Sequence, residues 1–152
     1  MIASDDRRQT YLVLAVSLAM AGIFIYAGID KIRDPLQFAD SIAAFGILPA
    51  VFISLMALAL PPFEIACGLL LLWSPTRRVG ALAIVLISVV FFSALLSALV
   101  RGLTLDCGCF GVGAPSRPRM WLELALNVLF LLGALSVYRR STPRLPVCLL
   151  KT

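Results

Sequence analysis

The chain has 152 residues, of which 61% are hydrophobic and 14% charged, with a mean hydropathy of +1.02. Soluble domains carry roughly a quarter charged residues, so a soluble fold of this length could not bury so much apolar surface. The net charge of +5 comes from small groups of arginine between apolar runs, which argues against a nucleic-acid-binding face. The absence of histidine removes ordinary haem ligation, Ser-His hydrolysis and most zinc or copper sites.

Four apolar runs predict an all-α integral membrane protein, a bundle of four transmembrane helices forming a single domain. The predicted spans are residues 11–29, 51–73, 79–100 and 120–138, each near the roughly 20 residues that cross a bilayer as a helix. The first run also has the form of a signal peptide, with Ala19-Met20-Ala21 as its cleavage site. Because the run continues unbroken to Ile29, we favour an uncleaved anchor.

Loop one, between the first two spans, is too short for another crossing. Its mixture of apolar and polar residues predicts a short amphipathic helix at the membrane interface. Pro35 near the start and Gly46 near the end suit helix boundaries. Pro61 and Pro62, in the middle of the second span, are expected to kink it and to leave backbone carbonyls without donors.

The distribution of Lys and Arg predicts the orientation in a membrane, because cytoplasmic loops carry an excess of them. The larger set is Arg7, Arg8, Arg77, Arg78, Arg139, Arg140, Arg144 and Lys151. The smaller set is Lys31, Arg33, Arg101, Arg117 and Arg119. Both termini are therefore expected in the cytoplasm, with residues 141–152 as a loose tail. Loops one and three are expected outside, with the loop that contains Cys107 and Cys109 on the oxidising face.

Cys107 and Cys109 are separated by one glycine in the segment LDCGCFG, in the most polar loop of the chain. A disulfide between them closes a very small ring, so the segment must turn, and Gly108 lowers the cost of that turn. Such a bond is expected to be strained, easily reduced and of little value for stability, which favours a redox-active pair. A structural loop closure stays an alternative. A metal site does too, although two further ligands are missing from the chain.

Charged residues near the pair bear on its reactivity. Arg101, Arg117 and Arg119 flank the loop and favour a thiolate, whereas Asp106 beside Cys107 opposes one. Cys109 is therefore expected to be the sulfur with the lower pKa. Of the remaining cysteines, Cys67 is expected to be buried in the second span, where a cysteine behaves as a small hydrophobe. Cys148 lies in the predicted cytoplasmic tail.

Glu64 is an acid deep within an apolar span, which marks it as a functional candidate. A quinone could bind near Pro61, Pro62 and Glu64, with the carboxyl group exchanging a proton with it. A hydrogen-bonded Glu64 that only joins helices is the alternative. Lys31 either extends toward the membrane surface or supplies a charge beneath the cysteine loop.

Glu123 and Asn127 lie four residues apart, hence on one face of the fourth span. That face is expected to point into the bundle, where Arg117, Arg119 or loop one could pair with it. A structural role is favoured, since polar side chains commonly join membrane helices.

Three blocks of sequence together resemble the MauE branch of the DoxX-like membrane proteins. They are YAGIDKIRDP at 26–35, LPPFEIACGL at 60–69, and RG at 101–102 followed by DCGCFG at 106–111. The resemblance implies a protein of a bacterial cytoplasmic membrane that forms or delivers disulfides in a periplasmic client. In the methylamine-utilisation case the client is the methylamine dehydrogenase small subunit, and a thioredoxin-like partner is implied.

The sequence therefore predicts a membrane thiol–disulfide redox protein in which a partner's thiolate attacks the Cys107–Cys109 bond to form a mixed disulfide. Its expected partners are the lipid bilayer and an extracytoplasmic client or thioredoxin-like protein, with no nucleic acid and no metal. A quinone is the one cofactor considered. Cys107, Cys109 and Glu64 are the catalytic candidates, and the supporting ones are Lys31, Arg101, Asp106, Gly108 and Phe110. Two alternatives remain: a non-catalytic membrane chaperone or docking protein for a redox partner, and a small subunit of a quinone-linked oxidoreductase.

Overall fold

The computed structural model describes residues 2–103 and 117–141, which form five helices and contain no strand. The helices are α1 (Ile2–Arg33), α2 (Pro35–Ala44), α3 (Ala50–Leu72), α4 (Arg77–Val100) and α5 (Arg117–Arg140). The predicted cysteine loop and the predicted tail from residue 142 onward, with Cys148, lie outside the described residues.

Four of these helices, α1, α3, α4 and α5, are long and apolar enough to cross a membrane, which confirms the predicted fold. The predicted limits of the second and third spans agree with α3 and α4 to within two residues. The helix α1 extends beyond both ends of the predicted span 11–29, because helical backbone hydrogen bonds continue past the ends of the apolar run. Its candidate span, Arg7–Arg33, has 27 residues and would extend about 40 Å, more than a hydrocarbon core of about 30 Å requires.

The short helix predicted in loop one is α2. The Asp34 side chain accepts a hydrogen bond from the Gln37 backbone N–H at 3.1 Å, and Pro35 occupies the first turn. Gly46, with φ +61°, follows the end of the helix in a conformation that favours glycine. Phe38 is buried against the bundle while Leu36 is 79% exposed, so α2 has the amphipathic character that was predicted.

Glycines bring α1 and α3 into close antiparallel contact. A Cβ at Gly28 would lie 2.8 Å from the Pro61 carbonyl oxygen, and one at Gly68 would lie 3.0 Å from the Ala21 carbonyl oxygen. Small residues at a helix interface let membrane helices approach in this way. The second close pair is α4 with α5, and α3 also packs on α4.

The interior contains many small and medium side chains, and many large apolar groups point outward. One buried cluster contains Met20, Ala21, Cys67, Leu71, Ala81, Ile84, Ala134 and Val137. Large side chains such as Leu58 and Val90 are 75% and 65% exposed. An apolar exterior around a well-packed interior is what a lipid environment requires, because lipid is as apolar as the side chains that face it.

Candidate functional site

Lys31 and Glu64 form a buried ion pair between α1 and α3. The Lys31 Nζ donates to Glu64 Oε2 at 2.7 Å and to Oε1 at 3.0 Å. Only 4% of Lys31 and 8% of Glu64 is exposed. A single charge in an apolar interior is costly, and each of these two offsets the cost of the other. Glu64 thus joins two helices, as one sequence interpretation held, while its role in proton transfer stays a prediction.

The direction of the two side chains follows from helix geometry. Cα–Cβ bonds tilt toward the N-terminus of their helix, so side chains on antiparallel α1 and α3 lean toward each other. Lys31 therefore points back into the bundle, and the expectation that it extends to the membrane surface is wrong. Its ammonium group also lies 5.4 Å from the centroid of the Phe38 ring, which adds a cation–π contact from α2.

On α5, Glu123 is buried next to a cation one helical turn away. The Arg119 Nε lies 3.5 Å from Glu123 Oε1, which confirms the predicted pairing with Arg119. Asn127 lies one turn further along the same face. Its Oδ1 atom is buried and has no hydrogen-bond partner among the residues that the structure describes.

These groups surround a cavity of about 70 Å³ inside the bundle, the polar cavity. Its polar lining residues are Lys31, Glu64, Ser88, Glu123 and Asn127, contributed by four helices. The charges of Lys31 and Arg119 balance those of Glu64 and Glu123, so the site is formally neutral. It offers ammonium hydrogens as donors and carboxylate and amide oxygens as acceptors, which suits a neutral group that both donates and accepts hydrogen bonds.

A second and larger cavity, the apolar groove, has a volume of about 510 Å³ between α2, α3 and α4. Every residue lining it is apolar: Phe38, Ile42, Phe45, Ile47, Leu48, Met56, Leu60, Phe63, Ala83, Leu86, Ile87, Val90, Phe91 and Ala94. Ile87 and Phe91 also line the polar cavity. The two cavities thus share part of one wall.

The two prolines of α3 lie apart from both cavities. The helix continues through them; Pro61 is buried and Pro62 is exposed. Of the three residues near which a quinone was expected, only Glu64 lines the polar cavity. Pro61 instead contributes its carbonyl oxygen to the close contact with Gly28.

Arg101 ties the end of α4 to the connection between α2 and α3. Its Nη1 donates to the Phe45 carbonyl oxygen at 2.7 Å, beside Gly46. Since a carbonyl is neutral, this bond does not itself neutralise the positive charge of the guanidinium. Arg101, the cation predicted to lie before the cysteine loop, is thus held at the end of α4 by its bond to the Phe45 carbonyl oxygen.

The sequence model of a family described as Methylamine utilisation protein MauE matches residues 9–139, and so spans every helix of the bundle. The chain belongs to the MauE family. A Methylamine utilization protein MauE of Paracoccus denitrificans is 30% identical over 135 residues, covering 88% of this chain and 72% of the relative. The corresponding protein of Methylophilus methylotrophus is 30% identical over 134 residues, covering 87% and 69%. No solved structure matches.

With four apolar helices, this MauE-family chain is a multi-pass membrane protein. The matched range includes the segment with the candidate residues Asp106, Cys107, Gly108, Cys109 and Phe110, all of which lie outside the described residues. Cys67 is a buried thiol, 1% exposed, within the core cluster, as predicted.

Sequence reasoning did not single out Ser88 and Phe91 of the MauE-family bundle, although both line the polar cavity. Ser88 carries a detectable signal, because it is a polar residue in the middle of the apolar run of α4. Phe91 carries none, since nothing distinguishes it in sequence from its neighbour Phe92.

Proposed function

We propose that this chain is a membrane thiol–disulfide redox protein of methylamine utilisation that forms disulfides in an extracytoplasmic client through Cys107 and Cys109. The observation that carries the proposal is the Cys-Gly-Cys sequence in the segment joining α4 to α5 of a MauE-family bundle. The names of both relatives supply the methylamine connection.

The arrangement of the described residues supports this assignment. Leu103 and Met120, on either side of the cysteine segment, pack in one cluster with Phe45, Leu95 and Ala98. The Arg101 bond to Phe45 lies at the same end. The helix ends that flank the segment therefore pack together, and the same end of the bundle contains Arg101, a cation of the kind that favours a thiolate.

The proposed reaction balances as a thiol–disulfide exchange. A client thiolate attacks one sulfur of the Cys107–Cys109 disulfide, forms a mixed disulfide and releases the other cysteine as a thiolate. The client's second thiolate then attacks its own sulfur in the mixed disulfide and displaces the protein's cysteine. The client loses two electrons and two protons, and the Cys107–Cys109 pair gains both.

Trapping the mixed disulfide tests the proposal. In Cys107→Ser and Cys109→Ser, the remaining thiolate can attack the disulfide of an oxidised client, which is the reverse of the exchange, and no second cysteine of the pair is left to resolve the mixed disulfide. We expect one of the two variants to accumulate a covalent complex with the client on non-reducing gels, which a reducing agent separates into the two proteins. The methylamine dehydrogenase small subunit is the first client to examine, and a thioredoxin-like protein is the second.

The matched control is Cys67→Ser, which changes a buried thiol of the same chain. It should give no trapped complex beyond that of the unchanged protein. Full client oxidation by the Cys107→Ser/Cys109→Ser double variant would contradict the proposal and favour a docking or chaperone role for the bundle.

A further inference from the structure

We propose that the polar cavity and the apolar groove together bind an isoprenoid quinone, with a ring carbonyl in the polar cavity and the tail in the groove. Quinone binding itself depends only on the two cavities. The use of the quinone as electron acceptor rests on the proposed function.

The shared wall joins the two cavities. Ile87 and Phe91 lie one turn apart on α4 and line both spaces. The Phe91 ring packs edge-on against Phe45, with centroids 6.5 Å apart. Across this wall a small chamber with polar groups lies beside a larger apolar space, an arrangement that fits a polar headgroup with a linear apolar tail.

The chemistry of the polar cavity selects the headgroup. Because Lys31 is paired with Glu64 and Glu123 with Arg119, an anionic phosphate headgroup would lose its hydration without gaining an unpaired cation from these groups. A quinone is neutral in both redox states. Its carbonyl accepts hydrogen bonds, as from Lys31, and its reduced hydroxyl donates them, as to the buried Asn127 Oδ1.

The volumes of the two cavities determine which part of the quinone each can hold. The polar cavity, about 70 Å³, is roughly half the volume of a cavity that holds benzene. A ring can therefore enter it only by its carbonyl edge, beside the Phe24–Phe130 pair, whose centroids are 6.0 Å apart. The groove, about 510 Å³, has room for several isoprene units.

The polar cavity lies toward the end of the bundle to which the cysteine segment is attached. Glu123 is six residues from Arg117, where the described part of α5 begins, which is about 9 Å along the helix. Under the proposed function, a quinone bound there would supply the acceptor for the two electrons and two protons of the reduced Cys107–Cys109 pair. The products are a disulfide and a quinol, so the exchange balances.

Calorimetric titration of the purified full-length chain in detergent, with ubiquinone-2 as the probe, tests the proposal. Val90 lines the groove and is 65% exposed, so Val90→Trp should narrow the groove without disturbing the core. Its matched control is Val89→Trp, since Val89 is 49% exposed and is not part of the groove lining.

We expect Val90→Trp to weaken ubiquinone-2 binding by about tenfold or more and Val89→Trp to change it less than about twofold. The tail-free ubiquinone-0 should be affected by neither. Asn127→Leu should weaken binding of the reduced probe by about fivefold, the value of one hydrogen bond.

Absence of saturable ubiquinone-2 binding would overturn the inference, as would equal weakening by both tryptophan variants. The Cys107→Ser/Cys109→Ser double variant keeps the two proposals distinguishable, because it should bind ubiquinone-2 as tightly as the unchanged chain. Quinone binding with no client oxidation would disprove the proposed function alone. Client oxidation with no quinone binding would disprove this inference alone.

Discussion

Lys31 and Glu64 are 33 residues apart in the chain, yet their side chains meet at 2.7 Å inside the bundle and neutralise each other. The contact links α1 to α3 and forms one wall of the polar cavity. Elsewhere along the interface of α1 and α3, Gly28 and Gly68 allow the two helices to approach closely.

Removal of either member of this pair should strongly destabilise the bundle. Lys31→Met or Glu64→Leu breaks the pair, and loss of one partner of a buried pair costs about 3–5 kcal/mol. The midpoint of thermal unfolding in detergent, followed by circular dichroism, should fall for the Lys31→Met variant. The double variant Lys31→Met/Glu64→Leu should recover most of the loss, since two apolar side chains leave no charge behind. Arg33→Met, at an exposed position, is the control. An unchanged midpoint in Lys31→Met would show that water reaches the pair.

The close approach of α1 and α3 should make Gly28 intolerant of even one added methyl group. In Gly28→Ala the new Cβ would lie 2.6 Å from Ile65 Cγ1 and 2.8 Å from the Pro61 carbonyl oxygen, so the helices must separate. We expect a clear fall in the unfolding midpoint.

Gly22 provides a control for Gly28 within the same helix. A Cβ at Gly22 has nothing within 4 Å, so Gly22→Ala should be neutral or raise the midpoint through the better helix propensity of alanine. Equal effects of the two substitutions would mean that the helix contact does not limit stability.

These two predictions show which parts of the structure the sequence determines. The spans and α2 follow from local signals, namely apolar runs of membrane length and the Asp34-Pro35 start of a helix. Glu123 and Arg119 were also predictable, because they are four residues apart on one helix. The Lys31–Glu64 pair was not, since it depends on the register between α1 and α3. That register is set by contacts such as Gly28 with the Pro61 carbonyl, which a single sequence does not reveal.

The hydrogen bond from Arg101 to the Phe45 carbonyl should stabilise the connection between α2 and α3. Arg101→Met removes the donor, and the Phe45 carbonyl then depends on solvent. Amide hydrogen exchange at Phe45 and Gly46 should become faster, corresponding to about 1 kcal/mol of local stability. Arg140→Met, at an exposed position of α5, should leave the exchange unchanged. Unchanged exchange in Arg101→Met would show that the bond contributes nothing there.

The charge distribution predicts that α2 lies outside the cytoplasm and the α3–α4 connection inside it. In a background without native cysteines, Leu36→Cys should react with a membrane-impermeant maleimide in intact spheroplasts, as Leu36 is 79% exposed. Ser74→Cys, also exposed, should react only after permeabilisation. The reverse pattern would invert the topology and place the cysteine segment in the cytoplasm.

The pairing of α1 with α3 bears on how the chain enters the membrane. In a newly made chain, Lys31 lacks its partner until Glu64 follows, and a charge that cannot reach the membrane surface is costly in lipid. Gly28, Gly68 and both charges belong to the same two helices, so this hairpin can bury its own charges before α4 and α5 are synthesised. We therefore expect the chain to assemble in the membrane in two steps. The neutral hairpin of α1 and α3 forms first, and α4 and α5 then pack against it.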